Sequence, residues 1–71
     1  MDFQRTTLIG IDQILRERYP DSLPDYKEKR DETHTIVETF RTCANATHRL
    51  EIKNVFDDWL WYREVPIDQE V

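Results

Sequence analysis

One glycine, Gly10, stands in a chain of 71 residues. Tight hairpins need residues that tolerate positive φ, and glycine is the usual one. So small a supply argues against a turn-rich all-β fold. The supply of apolar side chains is sufficient for one small core: 38 % of the chain is hydrophobic, with two Trp, three Tyr and three Phe. A chain of this length forms a single domain, residues 1–71, and buries only about 60 % of its unfolded surface. Its stability must come from good packing, from a second copy or from a partner.

The apolar spacing predicts an all-α domain of three helices, at about 3–19, 23–48 and 52–65. Leu8, Ile11, Leu15 and Tyr19 recur at helical steps in the first segment, and Ile14 widens the stripe. Pro20 stops it. Ser22, Pro24 and Asp25 read as the start of a second helix. In the third segment Ile52, Val55, Phe56, Trp59 and Leu60 follow the pattern of a core-facing helix. Pro66 ends that helix and leaves residues 66–71 as a frayed tail. On such a helix Trp59 faces the core and Trp61 lies roughly opposite, among acids.

The second segment is the doubtful one. Thr33, Thr35, Ile36, Val37, Thr39, Thr42 and Thr47 are β-branched and favour strands. The alternative is an α+β fold with a hairpin at about 35–53 between two helices, turning at Ala44-Asn45-Ala46.

The net charge is −5 and the pI near 4.8. That disfavours direct binding to nucleic acid or to an anionic membrane, which needs a basic face. The single basic cluster in sequence, Lys27, Lys29 and Arg30, is diluted by Asp25, Glu28, Asp31 and Glu32. Negative charge gathers at the C-terminal end. The longest apolar run, Trp59 to Tyr62, is too short to cross a membrane, and no signal peptide is visible. With one cysteine, an internal disulfide is impossible. A cytoplasmic location is expected.

Motifs for chemistry are scarce. His34, Cys43 and His48 lack the spacing of a zinc site. Cys43 reads as a small buried hydrophobe. No glycine-rich loop cradles phosphate. The expectation is therefore no enzyme, no cofactor and no metal. The candidate partner-binding residues are the acidic–aromatic strip Asp57, Asp58, Trp61, Tyr62 and Glu64, since aromatic anchors dominate interfaces.

The function this implies is a small acidic protein-binding module that acts by surface occlusion on a protein with a basic surface. Such surfaces often bind nucleic acid. An inhibitor working by nucleic-acid mimicry, in the manner of a phage anti-defence protein such as an anti-CRISPR or of an antitoxin, fits that description. The alternative is a homo-oligomeric helical scaffold or regulatory adaptor, in its simplest form a homodimer, with Ile9, Ile14 and Trp61 meeting their own copies.

Overall fold

The computed structural model of the chain describes residues 2–56 and 58–67. In chain order it has β1 (Gln4–Thr6), α1 (Leu8–Arg18), β2 (Asp25–Arg30), β3 (Ile36–Ala44), β4 (His48–Val55) and β5 (Trp59–Pro66). The strands form one antiparallel sheet in the order β1-β5-β4-β3-β2. Strands β2 to β5 meander in sequence order, and β1 pairs on the far side of β5. Helix α1 carries the chain from one sheet edge to the other, over one face. Among the described residues no helix is long and apolar enough to cross a membrane.

This overturns the three-helix domain and the helical bundle it implies. Only the first predicted helix survives, shortened at its start by β1. Residues 23–48 hold β2, β3, the turn between them and the turn into β4. The β-branched run decided the matter, and the α+β alternative is the nearer one: β3 and β4 are its hairpin, turned at Asn45. Its closing helix is absent too among the described residues, because residues 52–56 and 58–65 are the end of β4, a turn and β5. The apparent helical stripe there is a coincidence of two strands. Ile52 and Leu60 both face α1 from neighbouring strands, while Val55 and Trp59 lie opposite each other at the hairpin end. The real signal is period two: Leu50 and Ile52 point one way, Arg49, Glu51 and Lys53 the other.

The hairpins close without glycine. In the β2–β3 turn Asp31 Oδ1 accepts from the Thr33 N–H at 2.8 Å, the Thr33 hydroxyl at 2.7 Å and the Thr35 N–H at 3.1 Å. These donors, the Thr33 hydroxyl foremost, hold its carboxyl below the usual carboxylate range. His34 takes the left-handed conformation there, with φ 65°. In the β3–β4 turn Asn45 Oδ1 accepts from the N–H groups of Thr47 and His48 at 2.9 and 2.7 Å. At the β4–β5 turn Trp59 is left-handed, with φ 62°. Side chains that bond their own turn replaced the missing glycines.

The core lies between α1 and one sheet face. It comprises Ile11 and Tyr19 from the helix and its C-cap, with Cys43, Leu50, Ile52 and Leu60 from the sheet. Ile14, Leu15 and Tyr62 pack against its margin. Leu8, counted in the predicted stripe, is exposed, and Trp59, expected in the core, is 56 % exposed. Thr7 caps α1, its hydroxyl accepting from the Gly10 N–H at 3.0 Å. Ser22, read as a helix cap, instead accepts from the Ala44 N–H at 3.1 Å. Gly10 is needed for close approach: a Cβ there would stand 2.7 Å from Thr6 Oγ1. Pro66 pairs with His48, and the Ile67 N–H donates to Thr47 O at 3.0 Å. Residues 68–71 of the expected frayed tail lie outside the described residues.

Candidate functional site: the uncovered face of the sheet

The helix covers one face of the sheet and leaves the other open. Strand pairing sets what the open face displays. Arg5 stands opposite Trp61, Trp61 opposite Lys53, Lys53 opposite Phe40, and Phe40 opposite Lys27. One line across all five strands therefore alternates cation, aromatic, cation, aromatic, cation. Neighbouring strands are about 4.8 Å apart, so the line is roughly 19 Å long and its two rings are about 10 Å apart.

Electrostatics tie rings to cations on this face. The Arg5 guanidinium lies 5.2 Å from the Trp61 ring centre. The Lys53 ammonium lies 4.6 Å from the Phe3 ring centre, and the Arg63 guanidinium 4.5 Å from the same ring. Arg5 also pairs with Asp58, and Glu51 pairs with Arg63 and Arg49. Lys27 and Lys53 have no ion-pair partner among the described residues. The alternation of strand partners puts six cations on this face (Arg5, Lys27, Lys29, Arg49, Lys53 and Arg63). Against them, among the described residues, stand Asp25, Glu38 and Glu51 in the strands and Asp58 at the β4–β5 turn, paired with Arg5. The face is cationic although the whole chain carries −5.

The described members of the predicted acidic–aromatic strip divide between the two faces of the sheet. Trp61 belongs to the open face, and its indole N–H donates to the Asp58 carbonyl at 2.9 Å. Tyr62 and Glu64 belong to the helix-covered face. Asp57 lies outside the described residues. Because β5 is a strand, Trp59 and Trp61 are two residues apart on one side rather than on opposite sides of a helix. Sequence reasoning missed Arg5, Lys27, Phe40 and Lys53 as a group. Their signal was the strict alternation in β4, which fixes which side of the sheet each residue takes.

Glu64 has a structural task. It pairs with Arg18 and accepts from the Tyr19 hydroxyl at 2.9 Å. Tyr19 is only 3 % exposed. Burial, then the bond to Glu64, push its phenol well above the usual value. The pair ties the C-terminal end of α1 to β5. The Asn45 side-chain amide adds a bond to Arg18 O at 3.1 Å. Arg18, Asn45 and Glu64, with Thr47 and His48, line an open recess. Cys43 is buried beneath the helix, and burial pushes its thiol up. Among the described residues no group of three His, Cys, Asp or Glu side chains is placed to hold a metal ion.

No protein-family model matches the chain, and neither a curated protein nor a solved structure matches it.

Proposed function

We propose that the chain is a small cytoplasmic binding module that acts by occluding a partner's surface, with no chemistry of its own, and that it binds through the open face of the sheet. The observation that carries this reading is the line Arg5–Trp61–Lys53–Phe40–Lys27. Folding has no need of such a line. A sheet face left to water gains nothing from half-exposed rings, whereas interfaces draw their energy from aromatic and arginine anchors.

The sign of the partner is the reverse of what net charge suggested. Six cations against four acids among the described residues favour an anionic surface and steer it to this face. The mimicry version of the inhibitor reading needed Asp57, Asp58, Trp61, Tyr62 and Glu64 in one strip, and the sheet divides Trp61 from Tyr62 and Glu64. Self-association through the open face would bring two cationic surfaces together, which opposes the homodimer alternative there.

The test compares wild-type protein with Lys53→Glu as bait in a host lysate without nuclease, with retained protein and nucleic acid both identified. Retention of a partner by the wild type and its loss from the variant, both with the same far-ultraviolet circular dichroism, is expected. Equal retention by both would sink the assignment of this face.

A further inference from the structure

We propose that the occupant of the open face is single-stranded nucleic acid, DNA or RNA. This rests on the binding-module reading above and names its partner. Three features favour it. The line presents rings and cations by turns, which suits a polymer that presents bases and phosphates by turns. Single-strand binders combine stacking rings with a cationic track in this way. Next, every second position of the line is charged, whereas the core of a protein–protein interface is depleted in charge. Last, a duplex hides the faces of its bases, so rings on a flat sheet serve unstacked strands.

The roles divide by residue. Trp61 and Phe40 offer ring surface for two bases. The Arg5 guanidinium over Trp61 adds a further plane on which a base can stack. Lys53 and Lys27, without ion-pair partners among the described residues, meet phosphates. The net charge of −5 repels a polyanion at distance. Physiological salt screens that repulsion within about 8 Å, while the contacts on the face act at closer range.

The experiment is fluorescence anisotropy with labelled oligo(dT) and oligo(rU) of about 15 nucleotides. The two phosphate contacts, at Lys53 and Lys27, give a slope of log K against log salt of about −1.4. Affinity should then fall about 7-fold between roughly 50 and 200 mM salt. Lys53→Glu and Lys27→Glu should each weaken binding and flatten the slope by about 0.7. Trp61→Ala should weaken binding about tenfold and leave the slope unchanged, since a lost stack releases no counterions. Equal affinity for the two oligomers assigns the shared chemistry; preference for one assigns DNA or RNA.

The proposal is overturned by no binding of either oligomer to folded wild-type protein. It is equally overturned by binding that the two lysine reversals, on exposed or half-exposed positions, leave unchanged. Should the oligomers fail while a protein retained from the lysate still depends on Lys53, nucleic acid is wrong and the module stands. Should neither depend on Lys53, both readings fall together.

Discussion

The two faces of the sheet are built from the same strands and obey opposite rules. On the helix-covered side Cys43, Leu50, Ile52 and Leu60 close against Ile11 and Tyr19. On the open side the same strands carry Lys53, Trp61, Phe40 and Arg63. Period-two alternation sends each successive residue to the other face. Folding therefore constrains one residue in two, and the other half of each strand is free to carry binding chemistry.

The comparison is tested most severely by two truncations. Leu50 is 0 % exposed and Phe40 is 37 % exposed. Leu50→Ala should cost about 3–5 kcal/mol. A domain of this size has only about 4–10 kcal/mol in total, so the variant should be largely unfolded or melt far lower. Phe40→Ala should cost about 1 kcal/mol or less. Urea unfolding midpoints decide the matter. Equal losses would mean that the open face is a second core and would break the division of labour.

A smaller effect is expected at the clamp between helix and sheet. Tyr19→Phe keeps the ring and removes the bond to Glu64, a hydrogen bond to a charged group worth about 1.5–3 kcal/mol. The pH dependence has a definite sign. The folded-state pKa of Tyr19 is raised above the unfolded value, so its contribution is fully present below pH 10 or so and declines as pH rises beyond. Wild-type stability should fall through the alkaline range more steeply than that of Tyr19→Phe. Parallel curves would show that Tyr19 does not titrate differently on folding.

Gly10 sharpens the comparison on the covered side. An alanine in a helix is worth up to about 1 kcal/mol over glycine. Here the added Cβ would meet Thr6 Oγ1 at 2.7 Å, and overpacking costs about 1–3 kcal/mol. Gly10→Ala should therefore lose about 1 kcal/mol by thermal unfolding. In a Thr6→Ala background the same change should be a gain. A gain in both backgrounds would mean that β1 and α1 are not held together as tightly as that distance implies.

One helix and one hairpin were legible in the chain, and the rest was hidden for physical reasons. The helix was readable because Ile11, Ile14, Leu15 and Tyr19 form a true stripe and Pro20 ends it. The β3–β4 hairpin was readable from its β-branched run. The third segment misled because Ile52, Val55, Phe56, Trp59 and Leu60 satisfy a helical period by spanning a strand, a turn and a strand. Counting glycines misled as well: Asp31 and Asn45 closed their turns with side-chain oxygens, and His34 and Trp59 took left-handed backbone. As for the proposed site, Trp61 drew attention from its chemistry alone. Its neighbours were not, because Arg5, Lys27, Phe40 and Lys53 meet only through strand register, which no local window contains.

The smallest expected effects lie at the two strained turn positions, and they separate the faces once more. A left-handed residue other than glycine costs roughly 1–2 kcal/mol, and glycine in its place returns about 0.5–1 kcal/mol of that as lost chain entropy. His34→Gly should thus stabilise the protein by about 0.5 kcal/mol, and oligonucleotide affinity should not change, since the β2–β3 turn stands apart from the line of rings and cations. Trp59→Gly should relieve the same backbone strain. It also removes a half-exposed ring two residues from Trp61 on the same strand, so weaker oligonucleotide binding should accompany the gain in stability. If both variants gain stability and both bind as the wild type does, the strained Trp59 serves neither the fold nor the open face, and the binding surface ends at Trp61.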